Sequence, residues 1–219
     1  MDTHEFFQGL AGYFCLLIIV TVHEFGHAVA AVRLGDDTPR LQGRVTLNPI
    51  AHMDLIGTVI LPLAGVVLAA FHSGLASFII GWGKPVQFNL ARLRNRHSGP
   101  LVIAMAGPLM NVVIAVIAVG LMHLGGLPFG AQLIRSCEML ATLSMLLFFF
   151  NLLPIPPLDG SYVLKHLSGM SWEAFHTFGR YGLLVIILAL QWQPVGNYLV
   201  AATGASMNII ARMMGIPLP

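Results

Sequence analysis

From about Phe6 to Val32 the chain is apolar for long enough to cross a lipid bilayer, yet near the end of that run it carries His23-Glu24-Phe25-Gly26-His27. Hydrocarbon offers no water to satisfy backbone N–H and C=O groups, so a spanning segment of this length must be helical. On a helix, positions i and i+4 share a face. His23 and His27 can therefore reach one metal ion, while Glu24 sits beside the water that such an ion would hold. Zinc hydrolases need two neutral imidazole ligands and a nearby carboxylate that takes a proton from water. Ionisable residues inside a span are expensive and mark function by default. The motif reads as the centre of a metal-dependent hydrolase built inside a membrane.

The rest of the composition agrees. Of the 219 residues, 57% are apolar and 9% charged, and the mean hydropathy is +0.81. Soluble domains carry roughly 25% charged residues, so an integral, multi-pass membrane protein is expected, with residues 1–219 forming one domain. The N-terminus, Met1-Asp2-Thr3-His4-Glu5, has no basic region of the kind a cleaved signal peptide carries. Cys15 and Cys137 lie in or beside apolar spans and read as packed thiols. Basic residues form no stripe beyond Arg92, Arg94 and Arg96, which argues against nucleic acid as a partner.

Spans are expected at about 6–32, 98–123 and 133–153, with a shorter one at about 178–193. The amphipathic tail from about 195 to 215 suits a further span or an interfacial helix. Residues of about 55–82 are apolar but broken by Pro62, Gly65 and His72-Ser73-Gly74, so a tilted helix and a membrane-dipping hairpin are both open. If this region crosses an even number of times, nine of the eleven basic residues share one side, and the positive-inside rule makes that side cytosolic. That distribution favours the hairpin and an outer N-terminus; an active site near the cytosolic face of a prokaryotic plasma membrane is expected. Gln42-Gly43-Arg44-Val45-Thr46-Leu47-Asn48-Pro49 alternates like a strand and closes on a turn signal. A short β-strand or hairpin near 40–50, with an edge that could pair with an extended peptide, is expected there, against the plainer reading of a surface turn.

A zinc site needs a third protein ligand and one position left for water. Asp159 is the best candidate. It follows Asn151-Leu152-Leu153-Pro154-Ile155-Pro156-Pro157-Leu158, where three prolines break the helix, and it precedes Gly160, which permits a sharp turn. The plainer alternative is a solvated cap. His52 and Asp54 could also reach a metal, though a supporting role or plain solvation fits His52 better. His72, His97, His123, His166 and His176 fall in loops or at span ends. Asn111, in Ala106-Gly107-Pro108-Leu109-Met110-Asn111, brings an amide into an apolar stretch. It could bind a substrate carbonyl or oxyanion, or it could join helices. Asn151 faces the same choice, and its proximity to Asp159 favours a functional role.

Three motifs, His-Glu-Phe-Gly-His, Gly-Pro-Leu-Met-Asn and Asn-x-x-Pro-x-Pro-Pro-Leu-Asp-Gly, occur in that order, each in its own apolar stretch. In this the chain resembles the site-2 protease family of intramembrane zinc metalloproteases. The resemblance covers about 6–32, 98–123 and 133–165, and extends to Arg44–Gly57 and Trp82-Gly83-Lys84-Pro85-Val86. It implies an all-α polytopic fold with a three-helix catalytic core and peripheral transmembrane helices. It implies Zn2+ on His23, His27 and Asp159, Glu24 as general base, and Asn111 and Asn151 along the substrate groove. The implied activity is hydrolysis of peptide bonds within transmembrane segments of other membrane proteins. The PDZ or CBS domains of many relatives do not fit in this length, so a compact form is expected. The alternatives are a membrane metal-ion transporter, which would spread polar residues over several depths, and a metal-binding scaffold, against which the intact Glu24 argues.

Overall fold

The computed structural model describes residues 2–73, 81–122 and 130–215. The described residues are helical, with nine α-helices joined by turns. Helix α1 (Thr3–Arg33) opens on Asp2, whose carboxylate accepts hydrogen bonds from the backbone N–H groups of His4 and Glu5. That is an N-cap at the positive end of the helix dipole, and Arg33 complements the other end. A short α2 (Thr38–Leu41) follows, then a 3-10 turn at Pro49–Ala51 and a π-helical turn at Leu55–Ile60 that runs into α3 (Leu61–Ala70). Next come α4 (Gly99–Leu121) and α5 (Gly130–Asn151). The chain finishes with α6 (Gly160–Ser168), α7 (Trp172–Gly179), α8 (Gly182–Gln191) and α9 (Gln193–Met213).

Among the described residues, three helices are each long and apolar enough to cross a membrane: α1, α4 and α5. At about 1.5 Å per residue, α4 and α5 match the roughly 30 Å of hydrocarbon, whereas α1 exceeds it by several turns. Large apolar side chains face outward along these helices, with Phe14 at 56%, Leu109 at 55% and Ile117 at 57% exposure. A bilayer, not water, suits such a surface. Inside the bundle the packing relies on small residues. Ala115, Ala118 and Val119 of α4 meet Ala141 and Met145 of α5 and Met207 and Ala211 of α9. Small side chains let backbones approach closely, which is how helices gain dispersion energy when lipid removes the hydrophobic drive. Cys137 is buried in this cluster, and both cysteines are free thiols.

One expectation changes. The strand-like segment of 42–49 forms no strand, and none occurs among the described residues. It is turns and bends: Gly43 takes a positive φ of 69°, and the Asn48 side chain caps the 3-10 turn by accepting from Ile50 N–H. The loop's polar groups are consumed internally. The buried Arg44 donates to the carbonyls of Ala51 and Lys84, and His52 is tied to the Thr46 carbonyl at 2.9 Å. The segment expected as a span at 178–193 falls mostly on α8, ten residues long, which is long and apolar enough to cross a membrane only together with α7, bent from it by 58° at a short break.

The apolar region after residue 54 runs back along α1. Asp2 N–H bonds the Ala70 carbonyl, so the end of α3 meets the start of α1. By Trp82 the chain is again beside Gly57, whose carbonyl accepts the Trp82 N–H at 3.0 Å. Residues 74–80, within the expected hairpin, and His123 lie outside the described residues. Helix α9 places Leu199, Thr203, Met207 and Ala211 on one buried face, spaced every four residues, against α4 and α5.

Candidate metal centre

Three chain segments converge on one point. On α1, His23 and His27 lie one turn apart, 7% and 8% exposed, with Nε2 atoms 3.0 Å from each other. Asp159 reaches them from the loop after α5: its Oδ2 is 3.2 Å from His23 Nε2 and its Oδ1 3.4 Å from His27 Nε2. Gly160 makes that approach possible, since a Cβ there would lie 2.1 Å from the Leu152 carbonyl oxygen. The capping alternative for Asp159 fails. Its residue occupies the N-cap position of α6, but its side chain makes no cap bond. Both oxygens face the imidazoles instead.

The donor set fits a cation. The Ile103 carbonyl, on α4, lies 2.7 Å from His27 Nδ1. A carbonyl can only accept, so Nδ1 carries the proton and neutral His27 presents the Nε2 lone pair to Asp159. Lone pair then faces carboxylate, and a positive ion between them resolves the conflict. A backbone carbonyl orienting the distal nitrogen is also how ligand imidazoles are usually held. Among the described residues, His23, His27 and Asp159 form the one buried group of three that could hold a metal. A second group, Asp2, Glu5 and His72, is exposed at the far end of α1.

Helix α4 is pressed against this point because of two glycines. A Cβ on Gly26 would lie 2.8 Å from the Ala106 carbonyl oxygen, and one on Gly107 would lie 2.3 Å from His27 Nε2 and 2.7 Å from His23 Nε2. Glu24, 9% exposed, points to the opposite wall, where its Oε2 accepts the Val86 N–H at 3.0 Å. Val86 belongs to an extended stretch, 81–88, pinned by Lys84 N–H to the His52 carbonyl and by Trp82 to Thr58 and Gly57. Asp36, fully buried, anchors its far end by accepting from Asn89 N–H and from Thr38. Burial pushes the Asp36 carboxyl up, but the hydrogen bonds from Thr38 and Asn89, with Arg92 nearby, bring it below its ordinary value.

Between these walls lies a cavity of about 480 Å³ that His23, Glu24, His27, Asn151 and Asp159 line together with Trp82, Val86, Phe88 and Tyr162. Asn151 faces it while donating to the Leu147 carbonyl at 3.0 Å. Asn111 does not line it. Its amide is fully buried on α4, and neither amide atom has a hydrogen-bond partner. His52 is also buried outside the metal group, where its ring and backbone hold the loop of 44–52 to the extended stretch. The sequence reading passed over Gly107, the Ile103 carbonyl and the Val86 N–H. Two of these are backbone groups, which leave no mark in a residue pattern, and Gly107 stood out only as part of its motif.

Comparison with known proteins gives the same direction. The family model of peptidase family M50 matches residues 11–137 and 128–190. The chain is 33% identical over 190 residues, 84% of its length and 80% of the relative's, to the candidate zinc metalloprotease YwhC of Bacillus subtilis (strain 168). It is 30% identical to the candidate zinc metalloprotease Rip2 of Mycolicibacterium smegmatis over 80% of this chain and 64% of that protein. It is 29% identical to Rip2 of Mycobacterium tuberculosis (strain H37Rv) over 88% and 69%. No solved structure matches the chain. Because the family model covers most of the chain, including the three converging segments, the protein belongs to peptidase family M50, the site-2 protease family, and is a zinc metalloprotease.

Proposed function

We propose that the protein cuts peptide bonds within transmembrane segments of other membrane proteins, with His23, His27 and Asp159 holding zinc and Glu24 as general base. The observation that supports this most is one of placement. A complete three-donor set and a carboxylate share one cavity, walled by helices of membrane length. Zinc, when bound, supplies a Lewis acid that polarises an amide carbonyl and acidifies water. Glu24 takes the proton from that water and delivers it to the leaving amine. The Val86 N–H at 3.0 Å orients its carboxylate while leaving Oε1 free of that bond. Asn151 presents its amide to the substrate backbone.

A substrate helix hides its amides in i→i−4 bonds, so it must unwind before it can enter this cavity. Helix-breaking residues in the substrate favour cleavage. Depth follows from α1. His27 lies six residues before Arg33, about 9 Å along the axis. The carbonyl of Leu34 accepts Arg94 N–H, which brings the basic residues 92–96 to that same end. Arg212 belongs to the opposite end, where Met214 approaches Gly120. By the positive-inside rule this arrangement supports an active site near the cytosolic face.

The test is Glu24→Gln. The variant is expected to keep zinc at the wild-type stoichiometry and to lose cleavage of a model transmembrane substrate in detergent. Undiminished cleavage would overturn the base role, and loss of zinc would show that Glu24 holds the site together.

A further inference from the structure

A second hollow, about 160 Å³, lies on the far side of Tyr162 from the metal centre, between the start of α4 and the end of α6. Arg96 and His97 face it from the loop before α4, and Lys165, His166 and Trp172 from α6 and α7. The two imidazoles are in contact, with ring centroids 4.7 Å apart, and Lys165 Nζ sits 4.1 Å from the centre of the Trp172 ring. Arg96 donates one Nη2 hydrogen to the Ala91 carbonyl at 3.2 Å, and none of Arg96, His97, Lys165 and His166 is in an ion pair among the described residues. The adjacent acid, Glu173, opens into a different hollow with Ser171 and Thr177. The negative end of α6 accounts for Lys165 and His166. It does not account for Arg96 and His97, which converge from another segment.

We propose that this hollow binds an anionic phosphate group, either the headgroup of an acidic phospholipid or free phosphate. The volume suits one phosphate. A guanidinium fork and an ammonium held by cation–π contact are the groups that recognise it. The position suits a membrane surface: Trp172 is a residue of interfaces, and Leu167, next to His166, is 79% exposed. A bound phosphate ties α4 to α6. Helix α4 carries the Ile103 carbonyl that orients His27, and α6 begins directly after Asp159. Tyr162 walls both hollows. Occupancy therefore braces the two sides of the metal centre from a distance, without touching it.

The test uses the full chain. Lipid retention is measured by native mass spectrometry after reconstitution with phosphatidylglycerol or phosphatidylcholine, and inorganic phosphate is titrated in detergent in parallel. Hydrogen exchange of the wild type reports protection at 96–101 and 165–172, which needs no variant. Saturable protection by phosphatidylglycerol alone identifies the headgroup, and protection by inorganic phosphate identifies the free anion. The double variant Arg96→Gln, Lys165→Gln is expected to lose affinity about 25-fold, roughly fivefold per basic residue. The double variant Arg135→Gln, Arg212→Gln removes equal charge outside the hollow and is expected to bind as the wild type does. No protection from either source, or equal losses in the two double variants, overturns the proposal.

Discussion

Gly107→Ala puts one methyl group where the metal ligands already are. The new Cβ would lie 2.3 Å from His27 Nε2, 2.5 Å from its Cε1 and 2.7 Å from His23 Nε2. Ordinary contact between such atoms begins near 3.4 Å, so something must move by about 1 Å. The rings cannot simply swing away. His27 is bonded through Nδ1 to Ile103 on the same helix that carries the methyl, so retreat of α4 drags that anchor with it. Overpacking of this kind costs about 1–3 kcal/mol. Helix propensity alone would act the other way, since Ala is favoured over Gly by up to about 1 kcal/mol. Gly120→Ala, on the same helix, isolates that term, because a Cβ there meets nothing closer than Met214 Cε at 3.7 Å. The expected result is a zinc affinity lowered by about 10–100-fold in Gly107→Ala, the range for losing a ligand's support, and unchanged in Gly120→Ala. Chelator competition reads the affinity, and thermal unfolding of the metal-free forms reads the fold. Wild-type zinc affinity in Gly107→Ala would refute the placement of the ion between these rings.

Other expectations follow from the same contacts. Asp159→Asn should reduce bound zinc well below one per chain while leaving helix content by circular dichroism intact, because the carboxylate makes no cap bond to α6. His52→Gln should keep full zinc stoichiometry but lower the melting temperature, since its ring bonds Thr46 and stands apart from the metal group. Asp36 links acid to stability. Its folded carboxyl titrates below the ordinary value of 3.8, so its contribution is fully present above that pH and is lost as pH falls through the folded value. Asp36→Asn should melt lower at pH 7 and show a flatter melting curve below about pH 4, and an unchanged acid profile would remove Asp36 from the account.

How much of this was legible beforehand differs by residue. The spacing of His23 and His27 sufficed to put two ligands on one face, because helical periodicity is local. Asp159 was found by elimination and by its proline-rich setting, although over a hundred residues separate it from His27. The strand near 40–50 was misjudged because alternation in a short loop does not reveal which backbone groups its own side chains will consume. Here the Thr46 hydroxyl accepts Asn48 N–H, the Asn48 side chain accepts Ile50 N–H and the His52 ring holds the Thr46 carbonyl, which closes the segment into turns. Polarity alone left Asn111 open between substrate binding and joining helices, and the groove role came from the family resemblance; it is fully buried on α4 and does not line the cavity.

Composition and periodicity, which act over a few turns of chain, were enough to determine a helical membrane protein and the chemistry of its two-histidine motif. Only the tertiary structure decided that the Asp159 carboxylate comes within 3.2–3.4 Å of both rings, that Glu24 leans on Val86, and that α4 can come close enough to supply the Ile103 carbonyl. Those outcomes depend on how closely distant backbones approach, and that distance is set by packing at Gly26, Gly107 and Gly160, which no run of neighbouring residues encodes.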